Sequence, residues 1–184
     1  MRLSEPRIPP VSDAEATDEQ RALLDASRRD GNVLNVVRTL AQYPALSQAR
    51  GPLTRHIMGG SALPPREREL LILRIGWLCQ AEYEFGQHAR FGKGVGLRDE
   101  EIRRVTEGPD AAGWDAFDAT LLRAADELHG DAFISDATWT TLSARYSREQ
   151  LMDVVFTVGQ YTVVSMALNT FGVQFEPGVA GFPD

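Results

Sequence analysis

The chain has 184 residues, 43% of them hydrophobic and 24% charged, the proportions of one folded domain with a sizeable core. Its 26 acidic residues outnumber 19 basic ones, giving a formal charge of −7, and the basic residues form no run that could neutralise a phosphate backbone, so nucleic acid is not an expected partner. The single cysteine, Cys79, excludes an intrachain disulfide and any two-thiol redox chemistry on one subunit, and it suits a reducing cytoplasm.

Residues 1–17, with Pro6, Pro9 and Pro10 and no apolar signal-peptide core, predict an extended arm lying on the surface or on a partner subunit. Thr17 followed three positions later by Gln20 has the capping-box pattern and opens a helix whose Leu23 and Leu24 face the core. Asp30-Gly31-Asn32 stops it, and Val33, Leu34, Val36, Val37 and Leu40 make a second apolar stripe. Pro44 starts a third helix through Leu46, Leu53, Ile57 and Met58, which Gly59-Gly60 ends. From Arg66 to Cys79 apolar side chains wrap most of the circumference, which predicts a central helix.

A helix from Ala81 to Lys93 follows, then a turn marked by Gly92, Gly94 and Gly96 and a short acidic helix from Leu97 to Glu107. Trp114 to His129 and Asp136 to Tyr146 read as two more helices, and Ser147 caps a last long one reaching Phe171. Its apolar run, Val154 to Leu168, is shorter than the roughly 20 residues of a bilayer crossing and includes Gln160, so it reads as a buried helix and no membrane partner is expected. Together these segments predict an all-α helical bundle of about eight helices, with a domain over 18–172 and an irregular tail over 173–184.

Glu84 and His88 stand at i and i+4 on one helix face, where their Cβ atoms lie about 5–6 Å apart and a carboxylate can share a proton with an imidazole. The same spacing describes a surface ion pair without function. Glu69 lies in Arg-Glu-Arg-Glu, which by itself reads as a solvated first helical turn. Arg74, inside an apolar helix, needs a carboxylate from the fold or from a ligand. Tyr83 can donate to a substrate oxygen or simply pack, and Cys79 reads as a small buried side chain. His56 and His129 sit near helix C-termini, where an imidazole meets the negative end of the dipole. The three histidines have no metal-ligand spacing, and no nucleophile elbow or phosphate loop occurs, so no metal and no cofactor is expected.

The run from Leu63 to His88 resembles the carboxymuconolactone decarboxylase family, whose superfamily includes alkylhydroperoxidase D, and the resemblance extends over most of residues 20–172. The peroxidase motif there is Glu, eleven residues, Cys-x-x-Cys, three residues, His; the same spacing falls on Glu69, Ala81, Glu84 and His88, keeping the acid and the histidine and lacking both cysteines. A disulfide-forming peroxidase cycle on that pair is therefore lost. The resemblance implies an alkylhydroperoxidase D-like bundle assembling as a homotrimer or homohexamer, with the site where subunits meet. It implies cofactor-independent proton-transfer or decarboxylation chemistry on a small cyclic acid, lactone or enol-like substrate. His88 would move the proton, Glu84 would be its partner or a second acid, Glu69 would orient it, and Tyr83 and Arg74 would bind substrate. The alternatives are a peroxidase using Cys79 and a non-catalytic ligand-binding oligomer.

Overall fold

The structure, a computed structural model, describes residues 1–183; the last residue of the tail expected over 173–184 lies outside them. Among the described residues there are nine α-helices and a π-turn, and a lone bridge between Arg29 and Asn32 is the one strand-like pairing. In chain order these are α1 (Asp18–Ser27), α2 (Asn35–Leu40), α3 (Pro44–Arg55), the π-turn His56–Gly60, α4 (Pro65–Leu78), α5 (Glu82–Gly94), α6 (Asp99–Glu107), α7 (Ala116–Asp131), α8 (Asp136–Ser143) and α9 (Arg148–Phe171).

Helix ends follow local hydrogen-bond chemistry. Thr17 and Ser147 each form a capping box with the glutamine three residues on, and Gly172 at φ +72° closes α9 in the left-handed conformation that glycine tolerates best. Asp115 accepts from the backbone N–H groups of Phe117 and Asp118, both at 2.8 Å, so α7 begins after Trp114 and not at it. Gly92 and Gly94 lie inside α5 and not in the expected turn; the chain reverses at Gly96, with φ +98°. A side chain at Gly92 would press on Leu97, so its bareness lets the following segment fold back onto the helix.

Helix α4 is central and packs against α5, α7 and α9. Leu70, Leu71, Ile72, Leu73 and Ile75 are all wholly buried, each contributing about 1.5–3 kcal/mol on transfer from water. One core cluster joins Leu71, Ile72 and Ile75 to Leu121, Leu142, Val154 and Val158; another joins Leu70 and Leu73 to Phe85, Leu97, Ile102 and Leu122. By length and composition α9, at 24 residues, could cross a bilayer, yet Asp153, Thr157, Tyr161 and Ser165 are buried along its inner face, the placement of a core helix. Its outer face between Met152 and Met166 exposes Val155, Phe156 and Val163.

Both ends of the chain lie on this body. The N-terminal arm donates from Arg7 and Ile8 to the Phe171 carbonyl and from Val11 to the Arg38 carbonyl. The tail crosses α5: Glu176 accepts from the Asn35 N–H at 2.6 Å, from the Tyr83 hydroxyl at 2.7 Å and from the Gln87 amide. Phe182 packs edge-on against Trp77 and Phe85, and a side chain at Gly86 would overlap the Ala180 carbonyl.

Candidate active site

Two helices supply an alternating row of charges. From α4 come Arg68 and Glu69, and from α5 come Glu84 and His88, all at most 9% exposed. Arg68 donates through Nε and Nη2 to Glu69 Oε1, at 3.2 and 3.0 Å, and through Nη1 to the Met58 carbonyl. Glu69 Oε2 lies 2.6 Å from His88 Nδ1, and His88 Nε2 lies 3.0 Å from Glu84 Oε1. The i,i+4 pair expected on α5 is thus one end of a buried row, Arg68–Glu69–His88–Glu84, with alternating sign and no net charge.

The imidazole is held on all sides. The rings of Tyr161 and Phe91 meet it edge-to-face at 4.9 and 5.2 Å. Burial disfavours its charged form, but hydrogen bonds and charge from Glu69 and Glu84 outweigh burial and raise its pKa from 6.5 to about 9. Burial likewise pushes Glu69 up, yet the His88 and Arg68 contacts prevail and hold its carboxyl below the ordinary value. At neutral pH the histidine is therefore an imidazolium donating from both nitrogens, with Glu69 fixing its ring.

Glu84 and His88 open into a cavity of about 250 Å³. Val36 of α2, Ile57 and Met58 of the π-turn and Val164 of α9 make it mostly apolar, and Arg50, Gln160 and Tyr161 add polar groups. Tyr161 donates its hydroxyl to the Met58 sulfur at 2.9 Å, and burial followed by the nearby Glu84 and Glu69 holds its phenol well above the ordinary pKa, so it stays neutral. Glu84 Oε2 has no hydrogen-bond partner among the described residues, which leaves one carboxylate oxygen for whatever fills the hollow. Such a pair can pass a proton: Glu84 faces the ligand, and His88 recharges or relieves it from behind.

The structure brings Glu69, Glu84 and His88 together, with Glu69 behind the histidine and not on the cavity wall. Two other expectations are corrected. Arg74 does not line this cavity: its guanidinium grips Asp126 at 2.6 and 3.0 Å and the Val105 carbonyl at 2.7 Å, so the fold itself supplies the counter-charge. Tyr83 points to the tail, donating to Glu176 and accepting from the Val36 N–H, so it holds segments together and is not placed to bind a ligand beside His88. His56 pairs with Asp153 at 2.7 Å and does not merely meet a helix dipole. Cys79 lies away from the cavity with its Sγ 3.9 Å from His129 Nδ1, and burial raises its thiol pKa, the reverse of what a reactive thiolate needs. Arg50 and Gln160 carried no signal beyond helical spacing. No cluster of His, Cys, Asp and Glu able to hold a metal is found among the described residues.

Residues 44–127 match the model of the carboxymuconolactone decarboxylase family. No curated protein matches the chain in sequence. The fold is similar to that of an uncharacterized peroxidase-related protein from Ralstonia eutropha JMP134 with an alkylhydroperoxidase AhpD core: TM-score 0.81, 19% identity, covering 94% of this chain and 93% of that one. A peroxidase-related protein from Silicibacter sp. TM1040 gives 0.80 at 17% identity over 98% of each chain. The debrominase Bmp8, in complex with 2,3,4-tribromopyrrole, gives 0.77 at 14% identity over 95% of this chain and 94% of its own.

Proposed function

We propose that this chain, which belongs to the carboxymuconolactone decarboxylase family, is a cofactor-independent enzyme that transfers a proton at carbon, in decarboxylation or isomerisation of a small cyclic acid, lactone or enol-like substrate. The observation carrying the reading is the buried row ending in Glu84 at the wall of a small apolar cavity. As a carbanion or enolate develops on the substrate, the His88 Nε2 proton passes to the Glu84 carboxylate, and the carboxylic acid so formed gives up its proton to the new electron pair on carbon. The carboxylate is restored, and the now neutral imidazole, still held by Glu69, regains its proton from solvent. Run backwards, the same row removes a proton from carbon. The apolar walls strengthen these electrostatic interactions by keeping water out.

The proposal includes a cytoplasmic setting and self-association. The exposed α9 residues Met152, Phe156, Gly159, Val163 and Met166 follow a four-three spacing, the pattern of one helix seated on another. A cycle using Cys79 is disfavoured by its raised thiol pKa and its distance from the cavity.

The test is a panel of cyclic β-keto acids and butenolides in deuterated water, followed by NMR for decarboxylation and for deuterium at the reacting carbon. Wild type should accelerate at least one member, and Glu84→Gln and His88→Gln should each lower that rate by about 10²-fold or more. Acceleration of none, or full rates in both variants, overturns the reading.

A further inference from the structure

One cation in the cavity has no counter-ion. The other buried or partly buried arginines each donate to a carboxylate or carbonyl: Arg28 and Arg38 to Asp13, Arg66 to Asp118, Arg68 to Glu69, Arg74 to Asp126 and Arg104 to the Gly113 carbonyl. Arg50, partly buried on α3, makes no side-chain hydrogen bond or ion pair among the described residues. Burial pushes its proton affinity down, with only the fields of Tyr161 and Glu84 opposing. A guanidinium withdrawn from water without a partner is costly, and the group that repays it best is a planar anion accepting two parallel N–H bonds.

Its position explains how such an anion arrives. Arg50, Val37 and Thr54 line both the inner cavity and an outer groove of about 560 Å³ between α1, α2 and α3. The lining of that groove includes Arg29 and Arg55 as well as Arg50 and no acidic residue, in a chain whose formal charge is −7. A locally positive path on an acidic protein draws small anions and turns cations away.

We infer that Arg50 is an anion-binding site for a small organic carboxylate, which enters past Arg29 and Arg55, docks on the Arg50 guanidinium and extends its apolar body toward Glu84. The inference rests on the proposed function for what happens next, though not for the binding itself. The carboxylate held at Arg50 is one the substrate keeps, because a cation gripping a departing carboxylate would stabilise the starting state against its loss.

Binding, not turnover, tests it. Benzoate and its neutral isostere benzamide are titrated into the full chain by calorimetry. Wild type should prefer benzoate, and Arg50→Gln should weaken benzoate about tenfold to a hundredfold while leaving benzamide unchanged. Arg50→Lys, which keeps the charge and loses the fork, should fall between, and circular dichroism should match wild type in both variants. Glu84→Gln should bind benzoate at least as well as wild type, so a catalytic failure and a binding failure read out separately. Absence of benzoate binding, equal affinity for the two probes, or an unchanged ratio in Arg50→Gln overturns the assignment.

Discussion

Replacing His88 by glutamine should flatten the alkaline limb of the stability curve. In the folded chain the imidazole is 6% exposed and its pKa is raised from 6.5 to about 9. A group whose pKa rises on folding stabilises the native state fully below its unfolded value and loses that contribution as pH climbs through the folded value. The stabilisation is therefore complete near pH 6, declines above the ordinary 6.5 and is gone beyond about 9; the difference is worth about 3 kcal/mol. Screening by solvent does not reduce it, since Glu69 is wholly buried and Glu84 nearly so. Urea denaturation at pH 6 and pH 9.5 should show wild type losing about 3 kcal/mol more than His88→Gln across that interval. The variant starts lower because Glu69 and Glu84 lose their shared partner, so the slope and not the intercept carries the answer. Parallel declines in the two proteins would refute the imidazolium reading, and an NMR titration placing the His88 ring near pH 6.5 would refute it directly.

Glu69, held below the ordinary carboxyl value of 4.5, should contribute at the opposite end, its stabilisation present above that pH and lost on acidification; Glu69→Gln should shift the acid midpoint of unfolding downward relative to its own neutral stability. Arg74→Met should cost about 3 kcal/mol in urea denaturation, since Asp126 is left without its bidentate partner, while benzoate affinity stays at the wild-type value; a large loss of binding would restore Arg74 to the site. Gly86→Ala should lower stability by about 1–3 kcal/mol and speed hydrogen exchange in residues 173–183, because the new methyl group meets the Ala180 carbonyl; unchanged exchange there would show that the tail does not seat on α5. Phe156→Glu should convert a self-associated species to monomer in light scattering without altering circular dichroism, and an unchanged mass would remove α9 as the contact.

Elements announced by local chemistry were legible in the sequence. The capping hydroxyls of Thr17 and Ser147 set the starts of α1 and α9 by contacts a few residues long. Glu84 and His88 were legible for the same reason, being one turn apart on one helix. Glu69 was not: Arg-Glu-Arg-Glu has the composition of a wet first turn, yet Glu67, Arg68 and Glu69 are buried because Arg145 and Tyr146 from the α8–α9 turn and His88 from α5 arrive to satisfy the two carboxylates. Family spacing, not residue chemistry, pointed to it. Arg74 and Tyr83 misled in the opposite sense, since their partners Asp126 and Glu176 are 52 and 93 positions away. Arg50 is the sharpest case: nothing in α3 distinguishes it from Arg55, and only the packing of α2, α5 and α9 around it makes one arginine solitary and the other exposed.

The strap over α5 has a consequence for the order of assembly. During synthesis the helix bearing Glu84 and His88 emerges well before Glu176, whose bond to Gln87 spans 89 positions. Until that later stretch arrives, Tyr83 and Gln87 lack their acceptor and that side of α5 is bare, whereas the row of charges joins partners no more than 19 positions apart. The tail therefore arrives as a cover drawn over a helix pair whose charges already have their partners, closing α5 from outside and not building the row itself.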